Sequence, residues 1–104
     1  MEVRFINSSL GKFIGSLEKS TVARVLHSIG LLEKFGNKLY FPHTKKVSPD
    51  LFELRIHGKQ EIRIFYTFHK CKIFLLHGFR KKSQKIPKKD IRIAIQKLKD
   101  IDTI

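Results

Sequence analysis

LFELRIHGKQEIRIFYTFHKCKIFLLHGFRKKSQK, residues 51–85, holds three strand-like runs in succession and ends in a burst of positive charge. The runs are Leu51 to His57, Glu61 to Phe68 and Lys72 to Phe79, each rich in β-branched and aromatic residues. The breaks between them are short and polar, which predicts antiparallel hairpins. Alternation in the first run puts Phe52, Leu54 and Ile56 on one face and Glu53, Arg55 and His57 on the other. In the second run Arg63, Phe65 and Thr67 oppose Ile62, Ile64, Tyr66 and Phe68, so Arg55 and Arg63 are expected on one solvent-facing side. The alternative for Arg63 is an ion pair with Glu53 or Glu61 that holds the sheet together. Phe65 is read as packed under a later helix in preference to being offered to a base. The third run is apolar on both faces as far as His77, the pattern of an interior strand covered on both sides.

Outward from the sheet, Glu2 to Ile6 alternates and predicts an opening strand. Asn7, Ser8 and Ser9 can each cap a helix whose face is Leu10, Phe13, Ile14 and Leu17, over residues 9–18. Ser20 can cap a second helix that buries Val22, Leu26, Ile29 and Leu32 and stops at Gly36. The two form a helical hairpin able to cover one side of the sheet. Tyr40 to Asp50 has two prolines and no sustained period and reads as a loop whose Lys45 and Lys46 border the cationic surface. After Pro87, Ile91, Ala94, Ile95, Leu98 and Ile101 recur at helical spacing and predict a C-terminal helix over 88–101. The reading is one α/β (α+β) domain over residues 1–104.

Twenty-two Lys and Arg against nine Asp and Glu leave a net charge of +13. That excess costs self-repulsion and favours a polyanionic partner, nucleic acid before an anionic membrane. One cysteine, Cys71, excludes an intramolecular disulfide, as suits a reducing cytoplasm. Met1 to Leu10 lacks a secretory pattern, and no apolar run approaches bilayer-spanning length. The five histidines show no zinc-ligand spacing, and no phosphate loop, nucleophile elbow or carboxylate pair placed for acid/base work is visible, so no cofactor or metal is expected. What remains is chemistry that cations can run. Cleavage of RNA by its own 2′-hydroxyl gathers negative charge on the scissile phosphate, which Arg and Lys donors stabilise. The proton acceptor stays open between a lysine of lowered pKa, His77 and His57.

LFELR, then EIRIFY, then LLHGFRKKSQKIPKKDI, in this order and spacing, resembles the RelE/HigB-type toxins of type II toxin–antitoxin modules, in particular their phage-derived HigB-like branch. The resemblance runs from about Phe41 to Ala94 and extends to Met1 to Gly36 by pattern alone. It implies a RelE/ParE-like fold, a helical hairpin on a small antiparallel sheet whose other side is concave and basic. It also implies cleavage of mRNA in the ribosomal A site and silencing by a cognate antitoxin, one with a helix-turn-helix domain. By position, Arg55, Arg63, Lys81, Lys82 and Lys85 match the family's basic catalytic positions. Lys45, Lys46, His77, Phe79 and Arg80 are the accompanying candidates for RNA contact. The C-terminal DIDTI holds neither the tyrosine nor the acid-histidine set of the best-known members, which leaves the general base unassigned. Two other readings remain: a gyrase-inhibiting toxin of the ParE kind, and a non-catalytic RNA-binding protein.

Overall fold

Strand β4 (Ile62–His69) is the middle of a five-stranded sheet in a computed structural model that describes residues 1–40, 42–82 and 84–101. The other elements are β1 (Glu2–Phe5), α1 (Ser8–Gly15), α2 (Lys19–Phe35), a single 3-10 turn (Gly36–Lys38), β2 (Thr44–Ser48), β3 (Leu51–Ile56), β5 (Lys72–Arg80) and α3 (Lys88–Asp100). The sheet order is β1-β5-β4-β3-β2. The α+β architecture is the one the sequence predicts, with one amendment: β1 pairs with β5 in parallel, while every other pairing is antiparallel. The helical hairpin and the three strands after it make up the long connection that the parallel pairing of β1 with β5 requires.

The expected loop at Tyr40 to Asp50 is corrected, because Thr44–Ser48 forms edge strand β2 against β3. Its prolines flank the strand instead of breaking it. Pro49 and Asp50 make the two-residue turn into β3, where a fixed φ is useful and the missing N–H costs nothing. An irregular register between Lys46 and Ser48 interrupts the alternation, which hides the period in the sequence. The β4–β5 turn is Lys70 and Cys71, both with positive φ (49° and 62°), as two-residue hairpins demand.

One face of the sheet carries the hairpin core, in which Leu10 and Ile14 of α1 and Val25, Ile29 and Leu32 of α2 pack on Leu54, Ile64, Tyr66, Ile73 and Leu75. The approach at Gly78 is tight: a Cβ there would lie 2.7 Å from Leu10 Cδ1 and 3.0 Å from Phe13 Cε2, so a larger residue would force these α1 side chains to shift. Asn7 caps α1 by accepting from the Ser9 N–H at 3.0 Å, and Gly36 closes α2 with φ +55°. The expected start of α2 and part of its face are corrected, although Ile29 and Leu32 are buried as expected and Val22 packs partly buried against the core. The helix begins at Lys19 without a capping side chain and buries Thr21, Val25, Ile29 and Leu32, leaving Leu26 59% exposed. Two ties to the β3–β4 turn accompany that rotation: Glu18 N–H to Gln60 Oε1, and Arg24 Nη1 to His57 O. On the opposite face α3 lays Ala94 and Ile101 over Leu51, Phe65, Phe74, Leu76 and Phe79, so Phe65 is packed beneath the last helix. Among the described residues no helix is long and apolar enough to cross a membrane.

Candidate active site

The α3-facing side of the sheet is apolar at one end and ionic at the other. Register places Arg55, Arg63 and Phe79 in one cross-strand row and Glu53, Phe65 and His77 in the next. Two arginines directly opposite each other repel. Glu53 lies between them, its Oε1 3.5 Å from Arg55 Nε and 3.5 Å from Arg63 Nε. Arg63 gains a second carboxylate, Glu61 Oε1, at 3.6 Å from Nη1, and also donates from Nη1 to its neighbour Ile62 O at 3.1 Å. The side chains of Glu53 and Arg63 are each 3% exposed. The expectation of a solvent-facing Arg63 is thereby corrected. Its side shares that face with the α3 core, and a buried guanidinium is tolerated there because two carboxylates compensate it. Arg55 is on the same side but only partly buried.

Lys81 and Lys82 follow β5 and line, with Glu61, Arg63 and Gln84, a cleft of about 550 Å³. The Lys81 N–H donates to Glu61 O at 2.7 Å, which prolongs the β4–β5 pairing and fixes where the lysine run departs. Four of the five predicted catalytic positions therefore meet at one end of the sheet. Lys85 is exposed beyond them and does not line the cleft.

The predicted RNA contacts are divided by the sheet. Lys45 is opposite Glu53 and so shares the ionic face, whereas Lys46 is opposite Phe52 on the hairpin face, its Nζ 6.0 Å from that ring. Arg80 is opposite Ile62 and also falls on the hairpin side. Phe79 is 6% exposed and stacked on Phe65 at 5.6 Å, so its ring belongs to the α3 core and is not presented to a base. His77 Nε2 donates to Asp90 Oδ1 at 2.7 Å, binding β5 to the first turn of α3.

Of the acids, sequence reading named Glu53 and Glu61 only as alternative partners of Arg63, and both lie beside it; Asp90 was left out. Glu53 had a readable signal, since residues two apart on a strand share a face. Asp90 had none, being thirteen positions from the histidine it meets. Glu61 was assigned no chemical role, yet it is the carboxylate of the cleft. Partial burial disfavours its charge, but hydrogen bonds from His57 Nδ1 (2.8 Å) and the Gly58 N–H (3.1 Å), with Arg63 nearby, hold its pKa below the usual glutamate value. The cleft thus offers an ionised carboxylate bonded to a histidine, facing two lysines and edged by arginine. Such a site can bind a phosphodiester and exchange a proton beside it. Among the described residues no group of three or more His, Cys, Asp or Glu is placed to hold a metal ion.

No curated protein matches the chain. Residues 12–99, which include the second half of α1, all of α2, the whole sheet except β1, and the cleft, match the family described as phage-derived protein, Gp49-like (DUF891), and the chain belongs to that family.

Proposed function

We propose that this protein is the toxin of a type II toxin–antitoxin module and an endoribonuclease that cuts mRNA on the ribosome. Its family is a RelE/HigB-like toxin family, which supports a toxin with a cognate antitoxin. The observation that carries the nuclease reading is the convergence of Arg63, Lys81, Lys82 and Glu61 on one cleft of a +13 protein. In the reaction the RNA 2′-oxygen bonds to the neighbouring phosphorus, the bond from phosphorus to the 5′-oxygen breaks, and a 2′,3′-cyclic phosphate remains. Lys81 and Lys82 stabilise the charge gathered on the phosphoryl oxygens. Glu61 accepts the 2′-hydroxyl proton, and His57, hydrogen-bonded to it, supplies a proton to the departing 5′-oxygen. Arg63 is a positioning residue that holds Glu53 and Glu61 in place, and Arg55 steers the phosphate from the rim.

The test is expression from a tightly controlled promoter, with growth, translation and the 5′ ends of cellular mRNAs followed together. Growth arrest with new mRNA 5′ ends, reversed by an antitoxin encoded beside the gene, is the expected result. Arrest with intact mRNA and poisoned gyrase would replace the nuclease reading with the ParE-like one, and unaffected growth would remove both.

A further inference from the structure

We infer that the groove between α2 and the C-terminal end of β3 is a second subsite for the backbone of single-stranded RNA, holding nucleotides beside the scissile phosphate. This rests on the nuclease reading of the cleft and adds where the rest of the substrate runs. The groove has a volume of about 460 Å³, and Arg24, His27, His43, Arg55 and His57 line it, with no carboxylate among its described lining residues. Those residues come from three separate stretches of the chain, and tertiary structure alone collects them.

Two features distinguish the groove from an ordinary solvated basic surface. The first is preorganisation. Arg24 is exposed, yet its Nη1 donates to His57 O at 3.3 Å and its Cδ lies 2.9 Å from where a Cβ on residue 58 would be, so Gly58 provides the space in which the arginine is laid down. A guanidinium held in one place loses less entropy when it meets a phosphate. The second feature is continuity with the cleft. His57, which lines the groove, is bonded to Glu61, which lines the cleft with Lys81 and Lys82. Past the Arg55 N–H to His43 O bond, β3 has no described strand beside it on this edge. A strand crossing the β3–β4 turn would meet cations at both ends.

The experiment measures binding of 2′-O-methyl RNA, which lacks the attacking hydroxyl, by fluorescence anisotropy, with oligonucleotides of about 12 and about 4 nucleotides. The Arg24→Gln, His27→Gln double variant should bind the longer one about tenfold more weakly, and its salt slope should be shallower by about 0.7, the single-strand value for the one phosphate that the Arg24 charge neutralises. Binding of the shorter one, and cleavage at saturating RNA, should be unchanged. His27→Glu, at an exposed position that leaves Arg24 in place, should reproduce the selective loss if the double variant folds poorly. Equal losses at both lengths, no loss at either, or a loss confined to antitoxin binding would overturn the subsite. Wild-type protein that binds neither oligonucleotide would remove the RNA reading of the cleft, and this subsite with it.

Discussion

Glu53 Oε1 lies 3.5 Å from Arg63 Nε, with both side chains 97% withdrawn from water and Glu53 Oε2 accepting no hydrogen bond among the described residues. Removing one partner of such a pair leaves a buried charge uncompensated, at a cost of about 3–5 kcal/mol, whereas replacing both can be nearly neutral. Arg63→Ala and Glu53→Ala should therefore each lower the urea midpoint substantially, and Glu53→Leu with Arg63→Met should recover much of the loss. If Arg63→Ala unfolds at the wild-type midpoint, the buried-pair assignment is wrong.

Lys82 is exposed at the cleft, so its loss should affect chemistry without affecting the fold. Lys82→Ala should reduce mRNA cleavage by about 10²–10³, the usual effect of deleting one donor to a charged transition state, with an unchanged melting temperature. Full activity in a well-folded Lys82→Ala protein would move the reacting phosphate elsewhere.

Lys45 and Lys46 are adjacent in sequence and lie on opposite faces of the sheet edge. Lys45→Ala should weaken RNA binding about two- to fivefold, as expected for one phosphate contact, and Lys46→Ala should leave it unchanged. Equal effects from the two substitutions would mean that the RNA does not follow the ionic face.

The Lys70–Cys71 turn places two L-residues at positive φ, a conformation that costs roughly 1–2 kcal/mol per residue outside glycine and asparagine. Replacing the pair by Asn-Gly, the preferred two-residue hairpin sequence, should raise stability by about 1 kcal/mol. Chemical denaturation measures this directly, and a lower midpoint would show that the native side chains contribute more than the backbone strain removes.

Although partial burial opposes it, the hydrogen bonds from His57 and Gly58 hold the folded-state pKa of Glu61 below its ordinary value. A depressed carboxylate contributes stability that is present above its unfolded pKa and lost as pH falls through the folded one. Wild-type stability should therefore decline as the pH drops below about 4.5, and Glu61→Gln should flatten part of that decline while being less stable at neutral pH. Parallel acid-denaturation curves for the two proteins would refute the linkage.

Strands 51–57, 61–68 and 72–79 were legible because period-two alternation and short polar breaks are local properties. The same holds for α1, for α3, and for Phe65 packed beneath α3. β2 was missed because prolines at both ends and an irregular register concealed its alternation. Of the expected face of α2, Ile29 and Leu32 are buried, while Thr21 and Val25 take the places expected for Val22 and Leu26, beside bonds to Gln60 and His57 far along the chain that no local period reveals. Of the candidate site, the cationic residue types, their grouping near the end of β5, and Glu53 and Glu61 as possible partners of Arg63 could be read, but not Asp90 or the place of Glu61 in the cleft.

By itself the sequence determined the α+β class, the order of its main elements, a surface that favours a polyanion, and the arginines and lysines available to meet one. Tertiary structure decided which of those cations are free to act. Burial is a joint property of elements distant in the chain: α3 returning over the sheet gives Arg63 a face it shares with Phe65 and Phe79, and Glu53 and Glu61 make its burial tolerable. Register decided the rest, because a side-chain period of two sends Lys45 and Lys46 to opposite faces once pairing with Glu53 and Phe52 is fixed.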